Sequence, residues 1–453
     1  MYFSGSQNYF CDCRQKGLIK EGCCLKPNFL KNILMLLVVL LLYIAVKDLA
    51  ALPVKQNINV GDPLLPQLAG YRYGRNPAMQ VYSSENNKKL LLPGGIPIAG
   101  KTGPVKMKIK LLGVIPFRQV SVNVVDPVEV MVGGHSIGIF LRSEGVLVVS
   151  YTPVGDSLGF KYNPAEKAGI LPGDIIVKIN GRAVKNDKLL QDEIDTLGNK
   201  KVPINLEVKR GKRTVQISLS PLYCRETGRY RIGLFVRNNT AGMGTLTFYE
   251  PTTKIYGALG HMVTDADTSR KIDLAEGQIT NAVVQGIYPG KAGKPGEKVG
   301  YYRGRPELLG EITKNTSVGI FGRLRKSPAK FFYKDTIPVA MCYEIKEGPA
   351  QILTVLKGDN IECFDIEIQK IILRNRTGGK GLVIRVTDQK LISKTGGIIQ
   401  GMSGSPIIQK GKFVGAVTHV FINDPKRGFG VPAEWMLREA GFFFLNDDFQ
   451  KAA

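Results

Sequence analysis

The run from Asn163 to Gly181 restricts the possible folds of this chain more than any other part of the sequence. Its opening Asn-Pro pair is typical of the start of a helix, and Gly169 is typical of a helix end. Residues 175–179 are apolar except for one lysine and predict a strand, and the closing Asn-Gly pair predicts the tight turn of a β-hairpin. A short helix, a strand and a hairpin turn in this order indicate a small α+β domain.

The neighbouring segments complete this domain, which we predict at residues 131–222. They are two short strands, an amphipathic helix and a hairpin, at residues 136–141, 146–149, 189–197 and 202–219. The run Pro-Ala-x-x-Ala-Gly-Ile-x-x-Gly-Asp-Ile-Ile-x-x-Ile-Asn-Gly inside it resembles the PDZ domains of bacterial proteases.

PDZ domains bind an extended peptide, usually a free C-terminus, by adding it to a sheet edge. The resemblance therefore implies a peptide or a protein C-terminus as partner. The peptide-binding residues would be Ser136, Ile137, Gly138 and Ile139, with the loop before them facing the carboxylate. A closed domain that only docks on its neighbour is the alternative.

Residues 33–46 form an apolar run without a charge, and this run decides the compartment. Basic residues outnumber acidic ones in the segment before it. The positive-inside rule then predicts a cytoplasmic tail at 1–32, a signal-anchor or transmembrane segment at 33–52, and export of the remainder. The run is short for a bilayer crossing, so a signal peptide with cleavage near Ala50 and Ala51 is the alternative.

The formal net charge is +24, from 62 Lys and Arg against 38 Asp and Glu. Such an excess favours anionic partners, either a phospholipid surface or a nucleic acid. Because the basic residues are spread along the chain and no nucleic-acid motif is present, we expect a membrane and not a nucleic acid as partner. A basic solvated surface without a specific role is the alternative.

The seven cysteines do not predict a disulfide framework. Cys11, Cys13, Cys23 and Cys24 lie before the apolar run in a spacing that is unusual for zinc, and we expect reduced thiols there. The other three are an odd number, which excludes a complete set of internal disulfides among them.

The remaining sequence predicts a chain that is mostly β. Residues 53–130 combine a segment rich in Pro, Gly, Asn and Ser with two β-prone runs, which predicts a linker and a small sheet. Beyond residue 222, short apolar runs recur without alternation of strands and helices. This pattern predicts an antiparallel sandwich or a pair of barrels at 223–453, with a helix at 432–439.

Residues 401–406, Gly-Met-Ser-Gly-Ser-Pro, are the sharpest chemical motif. Gly-x-Ser-Gly-x-Pro is the nucleophile loop of trypsin-like proteases, where backbone N–H groups stabilise the oxyanion. We predict Ser403 as the nucleophile and the N–H groups of Gly401 and Ser403 as the oxyanion hole. A simple turn in a hairpin, or Ser405 as the nucleophile, are the alternatives.

A serine nucleophile needs a general base, and the chain has only three histidines. His261 follows a run of small and apolar residues far upstream of the serine, as the catalytic histidine of trypsin-like enzymes does. We predict His261 as the base, with His419 as the second choice. His135 lies at the start of the PDZ block.

The base in turn needs a group that orients its ring, and Asp388 at the end of a predicted strand is our candidate. Asp265, Asp267 and Asp365 are the alternatives. A metal site made from His261, Asp265 and Asp267 would lack a second His or Cys, so no metal and no other cofactor is predicted.

Several further segments resemble the stage IV sporulation protein B peptidases. They are residues 257–261, 387–388, 395–406, 415–420 and 423–425. The resemblance extends over the apolar run, the PDZ block and the C-terminal domain. It implies a trypsin-like β-barrel serine protease domain whose catalytic triad is His261, Asp388 and Ser403. Two features depart from the expected patterns: the cysteine-bearing tail, and the short stretch of sequence between Asp388 and Ser403.

The same resemblance implies a signalling serine endopeptidase of endospore formation. Such an enzyme is membrane-anchored or secreted and acts outside the forespore cytoplasm, between the two membranes. It cleaves a regulatory membrane protein, so that a late mother-cell sigma factor is activated, and it cleaves itself. A non-catalytic, membrane-tethered PDZ adaptor with a degenerate protease domain is the alternative.

Overall fold

The computed structural model of this protein describes residues 31–33, 35–36, 52–69, 79–85, 87–90, 97–111, 113–155, 159–301, 308–373 and 377–443. The chain divides into two compact units, residues 1–54 and residues 55–453. The N-terminal cysteines and most of the predicted membrane segment lie outside the described residues. Within the described ranges, no helix combines the length and the apolar character that a membrane crossing requires.

The second unit consists mainly of antiparallel strands. In chain order they are β1 (Lys55–Asn59), β2 (Met79–Ser83), β3 (Gly103–Leu111), β4 (Ile115–Val125), β5 (Glu129–Val132), β6 (Ser136–Tyr151), β7 (Val154–Gly155), β8 (Lys161–Tyr162), β9 (Ile175–Ile179), β10 (Arg182–Ala183), β11 (Ile204–Arg210), β12 (Arg213–Leu219), β13 (Leu222–Cys224), β14 (Arg229–Arg231), β15 (Leu234–Tyr249), β16 (Ile255–Ala258), β17 (Leu274–Asn281), β18 (Val283–Tyr288), β19 (Glu297–Tyr301), β20 (Leu308–Thr316), β21 (Gly319–Leu324), β22 (Ile337–Pro338), β23 (Gly348–Val355), β24 (Ile361–Ile371), β25 (Leu382–Val386), β26 (Pro406–Gln409), β27 (Lys412–Phe421) and β28 (Asp424–Pro432).

The helices of the second unit are short. They are α1 (Pro66–Ala69), α2 (Pro164–Lys167), α3 (Asp187–Asn199), α4 (Gln389–Thr395) and α5 (Ala433–Ala440), together with a 3₁₀ turn at Thr377–Gly379.

A four-stranded sheet in the order β1-β4-β3-β2 precedes the larger domains. The structure extends this sheet into the segment that we predicted as a linker, because β1 and β2 belong to it. Polar residues hid β1 in the sequence. Asn57 on β1 is 5% exposed, and its amide donates to Glu434 over 2.9 Å and accepts from Asn123 over 3.2 Å. An asparagine with satisfied hydrogen bonds can lie in a buried strand.

Six strands close into a first barrel in the order β6-β17-β20-β21-β16-β15, and the pairing of β15 with β6 completes the ring. Its interior is a cluster of buried apolar side chains that includes Ile137, Leu246, Tyr256 and Ile320. Residues 137–143 of β6 lie between β15 and β17 in this barrel.

The predicted PDZ block is inserted between β6 and β15 of the first barrel. Past Gly145, whose φ of 81° suits a glycine, β6 pairs with β9 and with residues 234–237 of β15. Strands β9, β11 and β12 continue this sheet, and α2 and α3 cover its buried apolar face. Because β6 and β15 run through both parts, the boundary that we predicted at residue 222 does not separate the two folds.

Local elements of the PDZ block follow the sequence signals. The side chain of Asn163 caps α2 by accepting from the N–H of Glu166 over 3.1 Å. Asn180 and Gly181 have φ values of 45° and 80° and connect β9 to β10 in a two-residue turn. Positive φ at both positions is what this hairpin turn requires.

A second barrel closes from six strands in the order β23-β24-β25-β28-β27-β26. Phe364 and Ile384 are among the side chains that fill it. A further apolar cluster, which includes Phe248, Phe413 and Trp435, joins the first barrel, the second barrel and α5. The prediction of a mostly β chain with a β-barrel is confirmed, and α5 lies at the predicted C-terminal helix.

Candidate active site

The predicted nucleophile loop lies between α4 and β26 at the edge of the second barrel. Gly401 and Gly404 have φ values of 90° and 92°, which few other residues adopt without strain. A β-carbon at Gly404 would lie 2.2 Å from the carbonyl oxygen of Thr245, so only glycine fits there. The glycines of the motif therefore permit the tight turn of this loop.

Two threonines of β15 support this loop from the first barrel. The hydroxyl of Thr245 donates to the carbonyl of Gly401, and that of Thr247 donates to the carbonyl of Gly404, both over 2.8 Å. The backbone N–H of Thr245 donates to the carbonyl of Ser403 over 2.9 Å. Sequence reasoning missed both threonines, because nothing in a strand sequence shows which loop will lie beside it.

His261 follows β16 of the first barrel, and the same Thr245 connects it to the serine. The N–H of Leu259, two residues before His261, donates to the carbonyl of Thr245 over 3.3 Å. Gly260 lies against Thr418 and Val431 of the second barrel, with no space for a side chain. The chain segment of His261 thus packs directly against the segments around Ser403.

The ring of His261 is held by the backbone. Its Nδ1 lies 2.8 Å from the carbonyl oxygen of Met262. A carbonyl only accepts, so Nδ1 carries the proton and Nε2 keeps the lone pair that a general base needs. Burial lowers the pKa of His261 below its usual value, which keeps the ring neutral at neutral pH.

A cleft of about 980 Å³ lies between the two barrels and brings the two predicted residues together. His261 and Met262 line it from the first barrel, and Gly401, Ser403 and His419 line it from the second. The cleft has the size and position of a substrate site.

The second histidine of the cleft lies beside the first. The ring centroids of His261 and His419 are 4.9 Å apart, and Nδ1 of His419 has no hydrogen-bond partner among the described residues. Burial, with a smaller contribution from the neighbouring His261, lowers the pKa of His419 to about 4. His419, our second choice as the base, is therefore a neutral neighbour of His261 at neutral pH.

Both residues of the predicted oxyanion hole line the cleft. Among the described residues, the N–H groups of Gly401 and Ser403 have no backbone acceptor, whereas the N–H of Gly404 donates to the carbonyl of Val417. Ser405, the alternative nucleophile, is fully buried and does not line the cleft. The geometry thus favours Ser403 over Ser405.

Asp388 is not among the residues that line the cleft. It is the N-cap of α4, and its carboxylate accepts from the N–H of Leu391 over 2.8 Å and from the N–H of Asp365 over 3.5 Å. In this conformation the carbonyl of Met262, not a carboxylate, holds Nδ1 of His261. The orienting role of Asp388 therefore stays a prediction.

The alternative carboxylates do not line the cleft either. Asp265 is 1% exposed, accepts from Thr268 and faces Arg237 at 3.6 Å, and Asp267 pairs with Arg237 at 3.0 Å. Asp365 accepts from Gln351 on the neighbouring strand. Among the described residues, no group of three or more His, Cys, Asp or Glu side chains could share a metal ion.

The predicted peptide-binding residues Ser136, Ile137, Gly138 and Ile139 have no free strand edge. They pair with β15 on one side, and all but the first pair with β17 on the other. Ser136, Ile137 and Ile139 are at most 4% exposed. Because the barrel occupies both edges, this part of the prediction is wrong.

The PDZ part has another groove, of about 320 Å³, between α3 and the start of β15. Leu190 and Ile194 of α3 line one side, and residues 232–236 line the other. Phe235 in this stretch is 49% exposed. The run Ile-Gly-Leu-Phe at 232–235 is the sequence feature that could have indicated this groove. The predicted boundary at residue 222 places it in the following domain instead.

Comparison with known proteins places this geometry in a family. Residues 228–437 match the family model described as SpoIVB peptidase S55, and residues 137–220 match that of the PDZ domain. Residues 228–437 are a SpoIVB peptidase S55 domain. The domain at 228–437 is thus a serine peptidase domain, and a PDZ domain precedes it. The PDZ match begins at residue 137. Its first residues belong to β6 and form part of the first barrel.

Individual relatives share only parts of this S55 peptidase. A segment of 59 residues is 36% identical to proteins named "Probable CtpA-like serine protease" in strains of Staphylococcus aureus, which include RF122 and COL. The segment is 13% of this chain, and the chain spans only 12% of the length of these relatives.

Two solved structures are similar to parts of the fold. The PDZ domain of an SdrC-like protein from Listeria monocytogenes is 24% identical over 20% of this chain and 87% of that chain, with a TM-score of 0.16. The active form of the Rv3671c protease from M. tuberculosis is 15% identical over 46% of this chain and 77% of that chain, with a TM-score of 0.25.

Proposed function

We propose that this S55 peptidase is a serine endopeptidase in which Ser403 is the nucleophile and His261 is the general base and acid. The observation that carries the proposal is the cleft between the barrels, which both residues line and in which Nε2 of His261 is the basic nitrogen. The same cleft offers two unoccupied backbone N–H groups for the oxyanion.

The reaction begins when the Ser403 hydroxyl turns toward His261, away from the carbonyl of Thr418 to which it donates. Oγ attacks the carbonyl carbon of the scissile peptide while Nε2 takes the hydroxyl proton. The oxyanion of the tetrahedral intermediate accepts from the N–H groups of Gly401 and Ser403. His261 then gives its proton to the leaving amine, and an acyl ester on Ser403 remains. Water hydrolyses this ester by the same steps, with His261 again as the base.

The imidazolium that forms in each step needs stabilisation at Nδ1. The carbonyl of Met262 supplies a dipole there but no full negative charge. A carboxylate would stabilise the imidazolium more strongly. We therefore propose that Asp388, which lies at the N-cap of α4, supplies this carboxylate as the third member of the triad.

The substrate that we propose is a protein segment in extended form. The cleft runs between two barrels and is open to a chain that passes His261 and Ser403. A second peptide, or a protein C-terminus, would occupy the groove between α3 and residues 232–236, because PDZ domains bind extended chains beside a helix. The PDZ groove and the cleft share the strand β15, so one strand connects the two proposed sites.

The biological setting that we propose follows the family. It is endospore formation, with cleavage of a regulatory membrane protein between the forespore and mother-cell membranes, activation of a late mother-cell sigma factor, and self-cleavage. The matched family description, the net charge of +24 and the apolar run at 33–46 support a membrane-associated enzyme. The same run supports anchoring or secretion, with the catalytic domain outside the forespore cytoplasm.

The test compares proteolysis by the native protein with proteolysis by the Ser403→Ala variant. We expect the variant to lose self-cleavage and cleavage in trans while it keeps the melting temperature of the native protein, and Ser405→Ala to keep cleavage. An adaptor without catalysis would support sporulation equally well with Ala at position 403, and that result would replace the peptidase proposal.

A further inference from the structure

A buried lysine lies behind the nucleophile loop and takes no part in the mechanism described so far. Lys298, on β19, is 6% exposed. Its ammonium nitrogen lies 2.7 Å from the hydroxyl oxygen of Thr354 on β23. Among the described residues, no carboxylate forms an ion pair with it.

This arrangement is costly for the fold. An ammonium group that leaves water without a counter-ion loses more solvation than one hydroxyl returns. Burial accordingly lowers the pKa of Lys298 to about 7. A methionine would fill the same space without this cost, so the stability of the fold does not explain a lysine at this position.

The lysine instead packs on the residue that carries an oxyanion donor. A β-carbon built on Gly401 would lie 3.1 Å from Cδ and 3.2 Å from Cβ of Lys298. The backbone of the same strand holds the preceding residue. The N–H of Lys298 donates to the carbonyl of Gln400 over 3.0 Å, and the N–H of Gln400 donates to the carbonyl of Gly296 over 2.8 Å. The ammonium nitrogen is only two bonds beyond Cδ.

We propose that Lys298 is a positioning residue for the oxyanion hole: its methylene stem packs on Gly401 and fixes the peptide of that residue, and the bond of its amino group to Thr354 holds the stem in place. The inference rests on the proposed peptidase function. Preorganised donors and charges near a developing oxyanion act strongly where water is excluded. Thr354 is fully buried, so the amino group lies in such an environment.

The experiment uses the full chain and a fluorophosphonate probe. The probe forms a bond from Oγ of Ser403 to phosphorus with loss of fluoride, and the phosphoryl oxygen then occupies the oxyanion hole. We expect Lys298→Met to reduce the second-order rate constant of labelling by about tenfold or more. Such a reduction corresponds to the loss of transition-state stabilisation that one hydrogen bond provides. We expect the melting temperature of this variant to rise, because an apolar side chain replaces a buried amino group.

Opposite shifts in the two measurements separate positioning from simple support of the fold. Lys294→Met, in the same hairpin but exposed, is the matched control and should change neither quantity. Thr354→Val keeps the lysine but removes its partner, and it should also slow labelling. It provides a second test if Lys298→Met does not fold.

Two outcomes overturn the inference. One is unchanged labelling in Lys298→Met and in Thr354→Val, and the other is slower labelling that accompanies a lower melting temperature in both. Failure of the native protein to react at all would instead refute the proposed peptidase function, so the two failures are distinct.

Discussion

The hydroxyl of Ser403 donates its hydrogen bond to the backbone carbonyl of Thr418 over 2.8 Å. In this contact the hydroxyl proton of Ser403 points at a carbonyl oxygen, which cannot act as the base, although His261 lines the same cleft. The structure therefore shows a resting arrangement, and catalysis begins with rotation of one side chain. A serine side chain changes rotamer on a nanosecond scale, so this rotation does not limit turnover.

Thr245 connects the two catalytic segments, and Thr245→Val should therefore slow turnover. The substitution removes the hydroxyl that donates to Gly401 and leaves that carbonyl unpaired. We expect kcat to fall by about tenfold with little change in KM, since the oxyanion donors act in the transition state. Thr247→Val removes the equivalent bond to Gly404 and is the matched control. Equal losses of kcat in both variants would contradict a specific role of Thr245.

The pH dependence of kcat/KM should reflect the depressed pKa of His261. Burial lowers this pKa, and the base works only when neutral, so activity is lost as pH falls through a midpoint below 6.5. Steady-state rates between pH 4.5 and 8 on a fluorogenic protein substrate measure this midpoint. His135→Gln, outside the cleft, is the control and should not move it. A midpoint above 7 would show that a carboxylate raises the pKa of the ring in the working enzyme.

His419 should make the fold less stable in acid. Its pKa is about 4 in the folded protein and near the usual value of 6.5 in the unfolded chain. The unfolded chain then binds more protons between these values, so the free energy of unfolding decreases as pH falls through this window, by about 1–2 kcal/mol once solvent screening of this partly exposed ring is counted. Urea unfolding at pH 7 and pH 4.5 measures the loss. His419→Gln should reduce it, and an equal loss in that variant would exclude His419 as its source.

The orienting role of Asp388 can be tested with variants that separate its helix-capping function from its negative charge. Asparagine is as good an N-cap as aspartate, so Asp388→Asn should keep the free energy of unfolding within about 0.5 kcal/mol, while Asp388→Ala should lose about 1 kcal/mol. Turnover in the Asn variant then reports the orienting role alone. A loss of about a hundredfold or more at unchanged stability supports the triad, and full turnover excludes Asp388 from it.

Local chemistry explains why some elements could be predicted from the sequence. The Asn163 cap, the Asn180-Gly181 turn and the glycines at 401 and 404 each depend on interactions within a few residues. The nucleophile motif identified Ser403 for the same reason. The small number of histidines then reduced the search for its base to three residues, and the structure brings two of them into the cleft.

Features that depend on distant pairing could not be predicted. Ser136 to Ile139 carry a plausible PDZ pattern, but β15 and β17 occupy both edges of that strand. The polar residue Asn57 of β1 is buried with its amide satisfied by Glu434 and Asn123, both far along the chain. The position of Lys298 beside Gly401 likewise follows from the packing of β19 against a loop that is remote in sequence.

The central claim is that His261 activates the oxygen of Ser403, and covalent labelling tests it most directly. The native protein is treated with a fluorophosphonate at pH 7.5 and the modified residue is located by mass spectrometry. The account predicts one adduct on Ser403, and its loss in both Ser403→Ala and His261→Gln when each variant retains the native melting temperature. Labelling of Ser403 that proceeds equally fast in His261→Gln, or no labelling of the native protein, would contradict it.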